Sequence, residues 1–407
     1  MRSRSLVLCG ALTSLSALVL AACAPAPLTG TRTPSEEPVA TSNVRVVTPT
    51  ASTPAPRTMA PQPISCVSAA AELPLQAQVG QLYMVGVSTA GLDEVTSAAI
   101  TQTQVGSVVL LGNSTAGSEA ILELTGAVGE LADPALPILV AVDQEGGAVQ
   151  RLQGPGFSDL PTALDQARFA EGELEKAANE WGEELAATGV LFNLAPVADV
   201  VPADKQESNA PIGALRRNYG NDADTTSGKV AEFVTGMTDA GVATSLKHFP
   251  GLGQVTTNTD FDVAVDTDVA PGDSDWAPFV AGIDAGAKSV MVSSGIFKLI
   301  DPAQEGVFSP TIITSYLREH LAFDGVVIAD DLGAAGAVAD TPPADRGVRF
   351  ITAGGDIVIN ADPAILQEMV AATVAKAQAD PAFAEQVAAS TARVLTLKAW
   401  LGLVQCS

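Results

Sequence analysis

Short apolar runs recur along the chain from about residue 81, and longer segments of helical composition separate them. Runs that are apolar at nearly every position are typical of parallel strands buried on both faces. Eight such runs are present: Gln81–Val87, Ser107–Leu111, Ile138–Val142, Leu191–Leu194, Ala243–Leu246, Ser289–Val292, Gly325–Ala329 and Asp356–Asn360. The segments predicted as helices include Gly172–Ala187, Ser227–Ala240, Trp276–Ala285, Thr311–Leu321 and Ala364–Gly402. The alternation predicts repeated βα units.

Eight βα units in roughly 340 residues predict a single (β/α)8 barrel of the TIM type. A doubly wound open sheet shows the same alternation, so the prediction depends on the number of runs and on the positions of polar residues. Polar residues occur at or just after the carboxyl ends of several runs, which is the active-site face of a barrel. They are Asp143, Asn193, Lys247, Ser293 and Asp330.

The first 64 residues lack the alternation of apolar runs and helical segments found in the rest of the chain. Arg2 and Arg4 precede an apolar run from Leu6 to Leu20 and then small residues, which is the composition of a secretory signal and is too short for a membrane span. Residues 23–64 are rich in Pro, Thr and Ser without apolar periodicity, which is typical of an extended tether. The predicted division is therefore a signal peptide over 1–22, a tether over 23–64 and a barrel domain over 65–407.

The end of the signal segment, Leu20-Ala21-Ala22-Cys23, resembles the bacterial lipobox. This resemblance implies that Cys23 is acylated, becomes the mature N-terminus and holds the protein at a membrane outside the cytoplasm through buried acyl chains. A plain signal peptide without lipidation is the alternative.

The four cysteines have different predicted roles. Cys9 leaves with the signal peptide and Cys23 carries the lipid, so Cys66 and Cys406 remain at the two edges of the predicted domain. In an oxidising compartment we expect them to form a disulfide. Two free thiols are the alternative.

Composition excludes several classes of function. A hydrophobic content of 47% is too high for a disordered chain. A net charge of −25, with only 21 basic residues, disfavours nucleic acid, whose phosphates require Lys and Arg. No Cys/His cluster is present, so no metal site is predicted.

His320 lies in a predicted helix, where we expect a surface or capping role, which leaves His248 as the candidate functional histidine.

Three segments carry a resemblance to a known family. They are Thr244–Asp260, Asp143–Gly147 and Ala329–Leu332. Together they resemble the N-terminal domain of family 3 glycoside hydrolases, especially the single-domain bacterial β-N-acetylglucosaminidases. Within the first segment, Lys247 and His248 precede Phe-Pro-Gly at the end of a predicted buried strand. A lysine ammonium is costly at such a position unless it is paired or faces a ligand.

The resemblance implies a set of residues that bind the non-reducing sugar through charge-assisted hydrogen bonds to its hydroxyls. They are Asp143, Arg151, Arg217, Lys247 and His248. The segment Pro211–Gly220 resembles the family's IGxRSFG pattern, which aligns Arg217 with its arginine; a register shifted by one residue would select Arg216. Ala148 stands where the family often has a basic residue.

The resemblance assigns the nucleophile to Asp330, which ends the seventh apolar run. Ala329 replaces the serine that usually precedes it, and Asp331 is expected to cap or support the loop because adjacent side chains leaving a strand point in opposite directions. Retaining hydrolysis also needs a second group about 5 Å away, which protonates the leaving oxygen and then activates water.

The second group is where the chain departs from the family. The family's Asp-Ser-His triplet, whose histidine is the acid/base, falls on Asn258-Thr259-Asp260. Three interpretations are open. Asp260 acts as the acid with a raised pKa; Asp262, Asp266 or a more distant carboxylate supplies the proton; or the site binds a sugar without cleaving it. We predict that Asp330 and Asp260 are the catalytic pair.

The resemblance thus implies a retaining, exo-acting β-glycosidase, specifically a β-N-acetylglucosaminidase acting on cell-wall glycans without a cofactor. The expected partners are a carbohydrate substrate and, through the lipid, a membrane. A glycan-binding lipoprotein that has lost its acid/base is the alternative from another class. A β-glucosidase-type specificity is the alternative within the enzymes.

Overall fold

The computed structural model describes residues 65–406. The predicted signal peptide, the lipidation site Cys23 and the tether lie outside these residues. Within residues 65–406, no helix combines the length and the apolar character that crossing a membrane requires.

Eight parallel strands form the main sheet. They are β1 (Tyr83–Ser88), β2 (Ser107–Leu111), β3 (Leu139–Val142), β4 (Phe192–Asn193), β5 (Ala243–Phe249), β6 (Ser289–Val292), β7 (Val326–Ala329) and β8 (Val358–Asn360). Their order is β7-β6-β5-β4-β3-β2-β1-β8. A parallel bridge between Ile328 and Ile357 joins the two ends, and Ala329 N donates to Ile357 O at 2.9 Å. This closure confirms the predicted barrel and excludes an open doubly wound sheet.

Helices follow the strands and cover the outside of the barrel. They are α1 (Val67–Glu72), α2 (Leu75–Gln81), α3 (Glu94–Thr103), α4 (Ser118–Gly129), α5 (Ala163–Gln166), α6 (Glu173–Ala186), α7 (Ala223–Asp239), α8 (Ala277–Asp284), α9 (Pro343–Thr352), α10 (Leu366–Ala379) and α11 (Pro381–Trp400). Several begin at an aspartate whose side chain accepts a hydrogen bond from a backbone N–H of the first turn. Asp222, for example, accepts one from Thr225 N at 2.8 Å. The predicted helix over 311–321 is a π-helix, Thr311–His320.

The fifth strand is longer than predicted. It continues past Leu246 to Phe249, so Lys247 and His248 lie inside the strand. Between Leu246 and Phe249, three steps on β5 oppose two on β6, which is the register of a β-bulge. Bulges near active sites redirect side chains. The two polar residues are 2% and 6% exposed.

The two ends of the described domain meet on the outside of the barrel. Cys66 and Cys406 form the predicted disulfide, with their Cα atoms 5.1 Å apart at a sequence separation of 340. Helices α1 and α11 pack together beside it, with Ala70, Ala392 and Leu395 buried around the bridge. The disulfide therefore joins the first and last helices of the described domain.

Candidate active site

Lys247 lies between two carboxylates at the carboxyl end of the barrel. Its Nζ is 2.5 Å from Asp143 Oδ1, just after β3, and 2.6 Å from Glu145 Oε1. Burial alone would lower the pKa of Lys247, but Asp143 and Glu145 outweigh that effect and raise it. Lys247 thus stays charged in a buried position. Asp143 keeps 20% of its side chain exposed, so it can also accept from a ligand.

Glu145 is a site residue that the sequence interpretation missed. Arg217 donates to it twice, from Nε at 2.8 Å and from Nη2 at 2.7 Å. Burial would raise the pKa of Glu145, but Arg217 and Lys247 together hold it far below its usual range. Asp143 and Glu145 are two positions apart, a spacing that puts side chains on one face of an extended segment. This spacing could have indicated from the sequence that Glu145 also belongs to the site.

The two neighbouring arginines separate as the family alignment predicted. Arg217 enters the site, where Nη1 also donates to Pro211 O at 2.8 Å. Arg216 instead pairs with Asp165 on the surface, with Nη2 at 3.0 Å from Oδ1. The structure thus places Arg217, rather than Arg216, beside Glu145, and its sugar-binding role stays a prediction. Arg217 is 14% exposed, compared with 46% for Arg216.

Arg151 lies beside the hairpin formed by Gln144–Gly146 and Val149–Gln150. The Gln144 side chain fixes it by accepting from Arg151 N at 3.0 Å, and Nη1 donates to Asn113 Oδ1 at 3.0 Å. Its Nε is buried and has no hydrogen-bond partner among residues 65–406. Buried donors are rarely left unpaired. A polar ligand at this position would satisfy it.

His248 is oriented by Asp199, a second residue that the sequence interpretation missed. Its Nδ1 lies 2.7 Å from Asp199 Oδ2, while Asp199 Oδ1 accepts from His248 N at 3.2 Å and from Leu252 N at 2.7 Å. Because Nδ1 is engaged, Nε2 is left for other contacts. Asp199 follows the apolar segment 194–198 after β4, which repeats the pattern used to select Asp143 and Asp330.

Asp330 begins the loop after β7. Its backbone N donates to Val292 O at 3.0 Å, and its Oδ1 accepts from Asp331 N at 2.9 Å. Burial raises the pKa of Asp330; His248 opposes this rise, and the charge of Asp260 adds to it. Asp330 is therefore a desolvated carboxylate with a histidine and a second carboxylate within electrostatic range, which suits a nucleophile.

Asp331 has a different environment. Its Oδ1 accepts from Gly333 N and Ala361 N, both at 2.8 Å, and its Oδ2 accepts from Ala334 N at 2.8 Å. These three hydrogen bonds hold the Asp331 carboxylate against its own loop and the loop after β8. Asp331 is therefore a loop-supporting residue.

The loop after β5 places Asp260 near Asp330. Asp260 is exposed, but its backbone is held because its carbonyl accepts from Gly336 N at 3.0 Å and Thr259 O accepts from Ala337 N at 3.1 Å. Both donors lie in the loop after β7, which begins with Asp330. The two loops that carry the predicted catalytic residues are thus hydrogen-bonded to each other.

The other candidate acids, Asp262 and Asp266, accept hydrogen bonds from nearby backbone N–H groups. Asp262 is exposed, and its Oδ1 accepts from Val263 N at 2.7 Å. Asp266 is buried, and its Oδ1 accepts from Asp268 N and Val269 N in a turn. Burial raises the pKa of Asp266. The charge of Asp260 adds to the raised pKa of Asp330, and hydrogen bonds join the loops that carry these two residues. The role of Asp260 as acid/base stays a prediction.

Comparison with known proteins identifies the family. A model of the glycosyl hydrolase family 3 N-terminal domain matches residues 74–397. The chain belongs to this family. The matched region contains every proposed catalytic and sugar-binding residue.

Individual members are similar over most of the barrel. A β-hexosaminidase of Stenotrophomonas maltophilia is 34% identical over 259 residues, which are 61% of this chain and 74% of that enzyme. One from Xylella fastidiosa is 36% identical over 63% of this chain and 76% of its own length. A solved β-N-acetylhexosaminidase from Beutenbergia cavernae is 48% identical, with a TM-score of 0.79, and the match covers 81% of this chain and 99% of that one.

Proposed function

We propose that this family 3 glycoside hydrolase is a retaining, exo-acting β-N-acetylglucosaminidase. One observation carries the proposal: Asp330 follows β7 at the carboxyl end of the barrel, the end at which Lys247 pairs with Asp143 and His248 pairs with Asp199. The β-hexosaminidase names of the similar proteins support the choice of sugar.

The charged cluster supplies the sugar-binding groups. Asp143 accepts from sugar hydroxyls, while Lys247 and Arg217 donate to them. Glu145 pairs with both of these cations and Asp143 pairs with Lys247, so the two cations stay fixed in one geometry in the absence of substrate. Arg151, through its unpaired Nε, and His248, through Nε2, complete the set. Preorganised charges of this kind bind a ligand without first reorganising.

The reaction proceeds in two displacements. A carboxylate oxygen of Asp330 attacks the anomeric carbon, and the bond to the leaving oxygen breaks while Asp260 gives that oxygen its proton. A glycosyl ester of Asp330 results. Asp260, now ionised, takes a proton from water; the hydroxide oxygen bonds to the anomeric carbon, and Asp330 leaves as a carboxylate. The product keeps the β configuration.

We further propose an extracytoplasmic location at the membrane, with cell-wall glycans as the substrate. The lipobox-like segment ending at Cys23 and the disulfide between Cys66 and Cys406 support this location, because disulfides persist in oxidising compartments. Metabolic labelling with a palmitate analogue tests it: the label should be incorporated by the full chain and be absent from Cys23→Ala.

A chromogenic β-N-acetylglucosaminide with a good leaving group tests the activity. We expect turnover, loss of at least about a thousandfold in Asp330→Ala, and wild-type turnover in the control Asp284→Ala, an exposed carboxylate in α8. The matching β-glucoside should be hydrolysed more slowly; faster hydrolysis would instead indicate β-glucosidase specificity.

A second candidate is a glycan-binding lipoprotein that no longer cleaves. The exposure of Asp260 and the absence of a histidine in Asn258-Thr259-Asp260 favour it. Azide distinguishes the candidates, because it replaces water in the second step when the acid/base is removed. In Asp260→Ala, azide should restore turnover of the chromogenic substrate. Sugar binding by the wild type without turnover would favour the binding protein.

A further inference from the structure

Asn209 is a fully buried amide in the loop after β4, outside the set of residues proposed to contact the sugar. Its Oδ1 accepts from Ile212 N at 3.0 Å and from Gly213 N at 2.7 Å. Its Nδ2 donates to Leu252 O at 2.7 Å and to Val255 O at 2.8 Å, both in the loop after β5. These four hydrogen bonds use every donor and acceptor position of the amide. Asn209 therefore joins the two loops in one fixed geometry.

The turn that Asn209 holds also holds Arg217. Arg217 N donates to Ile212 O at 3.1 Å, and Arg217 Nη1 donates to Pro211 O at 2.8 Å. These two carbonyls belong to the same peptide units whose N–H groups, on Ile212 and Gly213, donate to Asn209. A trans peptide unit is planar, with its N–H and C=O on opposite sides. Asn209 on one side of the two units thus fixes the carbonyls that bind Arg217 on the other.

The other half of the Asn209 amide is linked to His248. Leu252, whose carbonyl accepts from Asn209, donates its own N–H to Asp199 Oδ1 at 2.7 Å. The second oxygen of Asp199 lies 2.7 Å from His248 Nδ1. A continuous series of hydrogen bonds therefore runs from the Arg217 turn through Asn209 to the residue that orients His248.

We propose that Asn209 is a positioning residue for the non-reducing sugar, which fixes the Arg217 guanidinium relative to His248. This inference deepens the proposed function and rests on its assignment of both side chains to that sugar. A guanidinium has five N–H groups. The three hydrogen bonds of Arg217 to Glu145 and Pro211 leave two for sugar hydroxyls, and their direction depends on where the Asn209 turn lies.

A double-mutant cycle tests this role with the chromogenic β-N-acetylglucosaminide. Arg217→Lys is the second variant, because it keeps a cation for Glu145 and removes the Nη1–H group that reaches Pro211. Asn209→Ala should lower kcat/KM about tenfold, mainly by raising KM. In the Arg217→Lys background the same change should lower kcat/KM less than about twofold, because the guanidinium that Asn209 positions is absent. A merely structural role would give equal factors in both backgrounds.

Asn209→Asp distinguishes the link between the loops from the turn itself. It keeps the acceptor for Ile212 and Gly213 but loses both donors to the loop after β5. Its kcat/KM should fall as in Asn209→Ala, and it takes the place of that variant in the cycle if Asn209→Ala does not fold. Wild-type kcat/KM in Asn209→Asp would contradict the proposal.

The matched control removes a buried hydrogen bond far from the site. On α4, the Thr125 hydroxyl donates to Thr188 O at 2.7 Å, 63 residues away in sequence. Thr125→Val should lower the melting temperature and leave kcat/KM unchanged. An equal loss of kcat/KM in this control would show that any weakened packing has the same effect, which would contradict a positioning role for Asn209.

Calorimetry with N-acetylglucosamine separates this inference from the proposed hydrolysis. If the wild type does not cleave, but Asn209→Ala weakens sugar binding and does so less in Arg217→Lys, the positioning role stands and the hydrolase assignment fails. If the wild type cleaves and the Asn209→Ala factor is the same in both backgrounds, the positioning role is wrong and the hydrolase assignment stands. A wild type that neither cleaves nor binds the sugar would contradict both.

Discussion

At the scale of single residues, Lys247, Arg217 and His248 each have a carboxylate partner in the proposed binding site. Lys247 contacts Asp143 and Glu145, Arg217 contacts Glu145, and His248 contacts Asp199. Buried ion pairs contribute little over apolar packing, but removing one partner leaves a costly unpaired charge. The network therefore makes the binding site sensitive to residues that need not contact the sugar.

Glu145→Gln tests this dependence. Arg217 would lose its carboxylate partner and Lys247 one of two, so we expect the free energy of unfolding to fall by about 3–5 kcal/mol. Urea denaturation at pH 7 measures it, with Glu183→Gln on α6, an exposed carboxylate, as the control. A loss below about 1 kcal/mol would show that the two cations do not depend on Glu145.

Asp330→Asn should stabilise the protein at neutral pH. The pKa of Asp330 is raised in the folded state, so folding favours its protonated form and the ionised carboxylate destabilises the fold above that pKa. The variant's melting temperature should exceed the wild type's by roughly 1–3 °C at pH 7. The difference should shrink as pH falls toward the ordinary aspartate pKa of about 3.9. A lower melting temperature at pH 7 would contradict this assignment.

At the scale of elements, local pattern predicted the strands well. The second and sixth strands have the predicted bounds, and the others differ by one to three residues at their ends. The extension of β5 was not predictable, because Lys247 and His248 are polar and their burial depends on Asp143, Glu145 and Asp199 from neighbouring loops. The π-helix over Thr311–His320 was not predictable either, since its composition is that of an ordinary helix.

Site residues that belong to a sequence motif could be predicted. Residues whose role depends on contacts with a distant loop could not. The family resemblance selected Arg217 and Lys247, and both contact Glu145 in the structure. Asp199 and Glu145 were missed because their partners are 49 and 72 residues away in sequence, so their role depends on contacts between the loops of neighbouring strands. Periodicity within one segment contains no information on such contacts.

The contact between the loops after β5 and β7 can be broken by one methyl group. Gly336→Ala would place its Cβ 2.3 Å from Phe261 O, so the loops must separate. We expect kcat/KM to fall about tenfold or more, because a displacement near 1 Å misaligns the two catalytic carboxylates. Gly126→Ala on α4, where an added Cβ has open space, is the control. Unchanged kcat/KM in Gly336→Ala would show that this contact does not position Asp260.

At the scale of the whole molecule, the disulfide is the longest-range link between the ends of the described domain. The chain-entropy estimate for so long a loop is about 5 kcal/mol, and measured gains are usually 2–4 kcal/mol. The Cys66→Ser/Cys406→Ser variant should lose about that much stability in urea under non-reducing conditions. Dithiothreitol should lower the wild type to the same midpoint and leave the variant unchanged. An equal midpoint for all four samples would show that the bridge does not stabilise the barrel.

In the proposed mechanism, Asp330 becomes covalently bound to the sugar. A fluorinated N-acetylglucosaminyl substrate with a good leaving group, chosen to slow the second step, should accumulate that intermediate. Intact-mass spectrometry should show one added glycosyl residue, and peptide mapping should place it on Asp330. A modified Asp331, Asp260 or other carboxylate, or turnover without any covalent adduct and with inversion at the anomeric carbon, would contradict the account.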